Sequence, residues 1–415
     1  MSAASAILAN PRWAPSSSTE TGLSGFGRIA FAFLWLFVFT LPGEKVLEIP
    51  GVGTVSRLAG LAALGTGVLA IAESKRIRLP APAHLAMALF VLWSAASYSW
   101  SLSPGWTLEK VATYFQLLLM AWLIWELCRG DREQQSLMLA YVLGTLVSAG
   151  DTIGNYVFNR QTYYLRYATT GFDPNDLGLT LALSLPLSYY LLLRSTGLMT
   201  WVFRIQIAAA IASILLTASR GALVASVIGL AIVPWTFGRL SLPGKIANSG
   251  VALVALAAAL LFLPQSSWKR LSTIQSEVTQ GTLNKRTMIW GAGLEAFRGH
   301  SFAGVGAGAY PAAVQSTLGI EHGMVFVAHN SFLSVLVEGG VIGFLSFCGL
   351  LGILALSIAD LGSLEKKLWT VTLAAWAVGV STLTWEQRKP TWLLFSLLIA
   401  QWGSAVRNLE SRSER

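Results

Sequence analysis

The chain is expected to fold as an all-α, polytopic integral membrane protein. About twelve transmembrane helices are predicted, with one long outer loop carrying short helices. Three observations predict this. Hydrophobic residues make up 54% of the 415 positions and charged residues only 12%, where soluble domains carry about 25% charged residues. Apolar runs close to the roughly 20 residues needed to cross a bilayer recur along the chain. One segment breaks the pattern: from about Pro264 to Asn330 the chain is polar. It holds His300, His322 and His329, three of the four histidines.

The elements follow in order. Residues 1–26 are rich in Ser, Ala and Pro, with no apolar core ahead of a small-residue cleavage site. They read as a disordered cytoplasmic tail, and the first span acts as an uncleaved anchor. Nine spans are expected over 27–264, near 27–43, 52–72, 81–101, 107–128, 136–158, 174–194, 199–218, 220–238 and 245–264. Only Ser219-Arg220 separates two of these runs. The long outer loop covers 265–329. Three more spans are expected over 330–406, near 330–357, 367–384 and 389–406. Residues 407–415 form a second cytoplasmic tail.

Orientation follows from lysine and arginine. With the N-terminus inside, short inner segments carry Lys75, Arg76, Arg78, Arg129, Arg132, Arg194, Arg239, Lys245, Lys366 and Lys367. Short outer segments carry fewer, among them Lys45, Arg160, Arg166, Arg220, Arg388 and Lys389. Basic residues favour the cytoplasmic side, so both termini are expected inside and the long loop outside. Net charge is +9. In a soluble protein this would suggest nucleic acid. Here anionic membrane lipid explains the inner basic residues, and no basic–aromatic array suggests a nucleic-acid partner. Cys128 and Cys348 both fall in predicted spans and offer neither a disulfide framework nor metal spacing.

The expected topology gathers unusual residues at the outer level. Asp173-Pro174-Asn175-Asp176 opens a span with an acidic cap and a proline in the first turn. Other spans open at Ser219-Arg220-Gly221 and at His329-Asn330. Each helix start presents unpaired N–H groups and a partial positive charge. Helix N-termini with arginine are a recurrent way to hold phosphate. Arg220 reads either as an anion ligand or as an interfacial arginine reaching the headgroups. Arg286 heads an expected amphipathic helix running through Phe297, and a solvated surface role competes with anion binding. Arg166 and Arg270 are further candidates, with surface contact the competing reading. Tyr163-Tyr164-Leu165-Arg166-Tyr167 reads as an interfacial aromatic belt or a sugar-stacking wall.

A histidine pKa near 6.5 suits His329 to general-base work. Glu321, His322 and His329 match no strong zinc signature, so no metal and no cofactor is expected. Glu338, inside a span, reads as a buried structural partner for a basic group. Gly304-Val305-Gly306-Ala307-Gly308 follows no predicted parallel strand and lies outside the cytoplasm. This excludes a dinucleotide loop and points to turns or close backbone approach to a ligand. A transporter would place charges and broken helices at the membrane midplane in two matching halves, and none are evident. A non-catalytic envelope scaffold is the other alternative.

Five segments in this order resemble the O-antigen ligase and polymerase superfamily of bacterial envelope enzymes. They are Gly171-Phe172-Asp173-Pro174-Asn175-Asp176; Thr217-Ala218-Ser219-Arg220-Gly221-Ala222; Arg286 with Trp290; Gly304 through Tyr310; and His329-Asn330-Ser331-Phe332-Leu333 with Glu338-Gly339. The likeness runs from about residue 85 onward. It implies a periplasmic loop, residence in the bacterial inner membrane, and a glycan donor linked to undecaprenyl diphosphate. It implies a transferase whose acceptor is lipid A–core for a ligase, a lipid-linked repeat unit for a polymerase, or a protein hydroxyl. Family ligases carry leucine four residues after the arginine, where this chain has Trp290. His329 reaches Gly340 with the ten intervening residues that the family shows. On this resemblance His329 removes the acceptor proton, while Arg220 and Arg286 hold the diphosphate in one metal-independent inverting displacement. Arg166, Arg270, Trp290, Tyr310 and Asn330 are assigned to substrate binding.

Overall fold

The computed structural model describes residues 23, 25–49, 51, 53–161, 166–272, 286–319 and 325–413. The tail through residue 22, the run Tyr163-Tyr164-Leu165, Lys285, Glu321 and His322 lie outside these. The helices are α1 (Gly25–Thr40), α2 (Val55–Ser74), α3 (Pro82–Ala96), α4 (Pro104–Leu127), α5 (Asp131–Val157), α6 (Pro174–Arg194), α7 (Leu198–Thr217) and α8 (Arg220–Leu230). After these come α9 (Ile232–Thr236), α10 (Leu242–Phe262), α11 (Gln265–Ser272), α12 (Arg286–Gly299), α13 (Tyr310–Leu318), α14 (Ser331–Ser357), α15 (Ser363–Val380) and α16 (Lys389–Ser413). A short antiparallel ribbon, Glu48–Ile49 against Gly53–Thr54, joins α1 to α2.

Every one of the twelve predicted segments is helical. Among the described residues, seven stretches are long and apolar enough by themselves to cross a membrane: Gly25–Gly43, Val55–Ser74, Asp131–Val157, Pro174–Arg194, Leu198–Thr217, Arg220–Arg239 and Ser331–Asp360. The protein is therefore an all-α membrane protein. Among the others, α3 is short, with 15 residues, and α4 carries Glu109, Lys110 and Glu126 within it. The expected span over 220–238 is interrupted: α8 ends at Leu230 and α9, with Pro234, restarts at Ile232. Proline lacks the N–H that would continue the helical ladder.

The chain forms two compact units. One comprises Met1–Glu73 and Arg132–Trp268, the other Ser74–Asp131 and Lys269–Arg415. In the first, α6 is the centre. Its residues from Leu177 to Leu192 are all buried, as a helix apolar on every side must be. α7 and α8 pack on it. Close approach is possible because Gly178 faces α8, where a Cβ would stand 2.8 Å from that of Ala222.

In the second unit α3 packs on α14, and α4 on both α3 and α16. The helix α14 is broken at Gly340, whose φ is +62°. The break strands backbone groups that the membrane interior cannot hydrate. The glycine-rich loop supplies partners: Val305 N–H donates to Val337 O and Gly306 N–H to Glu338 O, each at 3.0 Å. Trp93 Nε1 donates to Gly339 O at 2.8 Å. On the other side of the break, Val341 N–H donates to Ser301 O at 2.9 Å. So Gly304-Val305-Gly306-Ala307-Gly308 does make a close backbone approach, but to the protein's own broken helix. Gly304, Gly306 and Gly308 all have positive φ, and a Cβ on Gly304 would lie 2.3 Å from Glu338 O. Helices α12 and α13 close over this loop through a core of Ile289, Ala292, Val305, Tyr310, Val314 and Val337.

Candidate functional site

In the first unit the predicted outer motifs converge. Asp173 caps α6, its Oδ1 accepting from Asn175 N–H at 2.8 Å. Arg166 is not a surface arginine: it is 4% exposed. Its Nε donates to Thr217 O at 2.6 Å and its Nη2 to Asn175 Oδ1 at 2.8 Å. It thereby ties the start of α6 to the turn between α7 and α8. The same loop is held from α5, where Asp151 Oδ2 accepts from Thr169 Oγ1 and from Thr170 N–H, each at 2.7 Å. Held by these two bonds, Arg166 shapes the turn beside Arg220. Tyr167, beside it, packs edge-on against Tyr156.

The turn itself is tight. Ala218 adopts a left-handed conformation, φ +47°, which a non-glycine residue seldom does. Ser219 then caps α8 by accepting from Ala222 N–H at 3.4 Å. Arg220 is the first helical residue and is partly exposed. Two helices joined with no loop put its guanidinium at a helix start.

The same local pattern recurs in the second unit. His329 is left-handed at φ +47°. Asn330 follows as the cap of α14, its Oδ1 accepting from Leu333 N–H at 3.1 Å. Strain of this kind persists only where the surroundings over-determine it, and four hydrogen bonds do so. His329 N–H donates to Thr384 Oγ1 at 3.0 Å. Ser331 Oγ accepts from Trp385 N–H at 2.7 Å and donates to Leu383 O at 2.9 Å. Trp290 Nε1 donates to Ala328 O at 2.7 Å. This last bond places α12 against the His329 turn. Arg286, four residues before Trp290 and one helical turn away, is partly buried on the same face.

Below that turn lies a buried ion cluster. Lys110 Nζ stands 2.6 Å from Glu338 Oε2 and 2.7 Å from Glu386 Oε1. Glu338 Oε2 also accepts from Gly308 N–H at 2.8 Å, and Ser334 Oγ lies 3.1 Å from Glu386 Oε1. Glu338 is thus the buried partner of a base, as its position in a span suggests. Charges buried in a membrane helix are costly unless paired. Lys110 and Glu386 are functional candidates that linear reading passes over. A lysine inside an apolar span was the available signal. Its partner Glu386 is 276 positions away.

Tyr310 is 1% exposed and donates through Oη to Ile289 O at 2.9 Å. Burial pushes its phenol well above the usual tyrosine range, so it stays a neutral donor. Gly293 packs flat against it. Arg270 stands on α11, partly buried. Among the described residues, no three His, Cys, Asp or Glu side chains group to hold a metal ion.

Fold and motifs together define a polytopic helical membrane protein with two strained helix starts bearing Arg220 and His329. Residues 205–348 match the family model described as O-antigen ligase, and this match supports placing the chain in the O-antigen ligase superfamily. The family implies a glycosyltransferase-like enzyme acting on lipid-linked glycans. No curated protein matches the chain.

Proposed function

We propose that the protein transfers a glycan from undecaprenyl diphosphate to an acceptor hydroxyl at the periplasmic face of the inner membrane, as an O-antigen ligase does with lipid A–core. One observation carries this: the stretch matched to O-antigen ligase, 205–348, contains Arg220, Arg286 and His329 together. His329 takes the proton of the attacking hydroxyl. Arg220 and Arg286 hold the diphosphate and neutralise charge as the bond from the anomeric carbon to oxygen breaks. The glycan passes to the acceptor oxygen in one step with inversion, and lipid diphosphate leaves with the electron pair. Preorganised donors for a leaving-group charge commonly supply about 3–4 kcal/mol each, so arginines can do this work without a metal. The loop of 265–329 lies on the periplasmic side, and both termini are cytoplasmic.

A polymerase that joins lipid-linked repeat units is the second reading. Trp290, where family ligases carry leucine, favours it. The decisive assay uses full-length protein in detergent, lipid-linked donor, and either lipid A–core or a lipid-linked repeat as acceptor. Product on lipid A–core alone supports the ligase, and product on the repeat alone supports the polymerase. Transfer that survives within a few-fold in well-folded His329→Ala protein overturns the base assignment. Strong loss with chelator overturns metal independence.

A further inference from the structure

A cleft of about 320 Å³ opens in the second unit beside the His329 turn. This is within the range of about 300–1,000 Å³ typical of small-molecule sites. One wall is a stripe of α4, with Trp106, Glu109 and Thr113 at the spacing that aligns side chains on one helix face. The facing wall comes from the segment between α15 and α16, with Thr384 and Gln387. Two lining residues, Ala328 and Thr384, belong to the contacts that fix the His329 backbone. A molecule seated there lies against the His329 turn.

Charge decides what kind of molecule fits. The lining carries Glu109 and Glu338 against Lys110 and Arg388, which cancel. Lys110 is already held between two carboxylates. A diphosphate would leave water for a cleft with no net positive charge, which is unfavourable. The polar groups that line it are of another sort. The indole N–H of Trp106, the carboxylate of Glu109 and the amide of Gln387 have no hydrogen-bond partner among the described residues. Trp106 is 39% exposed. An accessible aromatic face ringed by unengaged donors and acceptors matches a neutral, polyhydroxylated ring: apolar C–H faces pack on the indole, and hydroxyls pair with carboxylate and amide.

We infer that this cleft binds the acceptor sugar, the ring that supplies the attacking hydroxyl, and not the diphosphate-linked donor. The assignment rests on the transfer reaction proposed above.

Two measurements on the full-length protein test it. In the transfer assay, Trp106→Ala and Gln387→Ala should each raise the KM for acceptor about tenfold, equivalent to about 1.4 kcal/mol. Donor KM should be unchanged, and Trp106→Phe should recover most of the loss. A rise in donor KM, or a fall in kcat with acceptor KM unmoved, overturns the assignment. The second measurement does not need turnover. With p-benzoylphenylalanine in place of Thr113, irradiation should label lipid A–core or the lipid-linked repeat through its sugar. Labelling confined to the diphosphate or prenyl part of a glycolipid, or of neither glycolipid, overturns the cleft as an acceptor site. Absence of any transfer by wild-type protein would instead overturn the reaction, and the crosslink would still report on the cleft.

Discussion

At the residue scale, the strongest consequences concern His329 and the bonds that hold it. A positioned general base contributes about 10²–10⁴ in rate, so His329→Ala is expected to lower kcat by about that factor in protein that still folds. Trp290 acts differently. Its indole N–H pairs with Ala328 O, and Trp290→Phe leaves that carbonyl unpaired at a cost of about 1–3 kcal/mol. Because the bond sets the turn rather than the chemistry, the variant should lose about tenfold in kcat while its donor KM stays near wild type. Equal kcat for Trp290→Phe and wild type would show that the bond does not position His329. Gly340 is a third case. A Cβ there would lie 2.3 Å from Phe302 O, on a backbone at φ +62°. Gly340→Ala is expected to destabilise the protein by about 1–3 kcal/mol or more, read as a lowered melting temperature in detergent. This gives a physical reason for glycine after ten residues from the histidine: the helix must break there.

At the element scale, α14 is a helix in two pieces, and the glycine-rich loop is the second strand of its hydrogen bonding. The loop, the break and α4 meet at Lys110. Its ammonium joins Glu338 on α14 to Glu386 before α16. Removing one partner of a buried ion pair costs about 3–5 kcal/mol, because charge is left unpaired. Lys110→Met should therefore lower stability by about that amount, while the triple change with Glu338→Gln and Glu386→Gln should recover a large part. Chemical denaturation followed by tryptophan fluorescence would measure both. A triple variant no more stable than Lys110→Met would show that packing of the lysine stem, not its charge, is what matters.

At the scale of the whole molecule, the expected orientation puts the loop of 265–329 on one side and the lysine- and arginine-rich connections on the other. Cysteine labelling tests this directly. With Cys128 and Cys348 replaced, an impermeant maleimide added to intact spheroplasts should label Ser301→Cys and leave Ser363→Cys unmodified until the membrane is opened. The reverse pattern would invert the topology and move the proposed chemistry to the cytoplasm. The division of the chain into two units bears on function as well. Arg220 belongs to one unit, and Arg286 and His329 belong to the other. Loss of transfer in both Arg220→Ala and Arg286→Ala, each well folded, would show that both units serve one reaction.

Much of this was legible in the linear chain. Apolar runs marked out the helical segments, and seven of them are long and apolar enough to span by themselves, because crossing a bilayer demands about 20 apolar residues whatever surrounds the helix. Asp173-Pro174 announced the start of α6, since cap chemistry is local. Arg220 and His329 stood out because charge at the edge of an apolar run is rare. What the chain alone left undetermined depends on partners far apart in sequence. Arg166 reads as a surface arginine until Thr217 and Asn175 enclose it. The glycine-rich loop reads as a ligand loop until Gly340 breaks the helix it serves. Lys110, a lysine inside a predicted span, is explained only by Glu338 and Glu386, remote in sequence, which neutralise it. Sequence determined the helices and their polar punctuation, for these follow from local composition. Only the tertiary structure decided which polar groups satisfy one another, because those partners lie far apart in the chain.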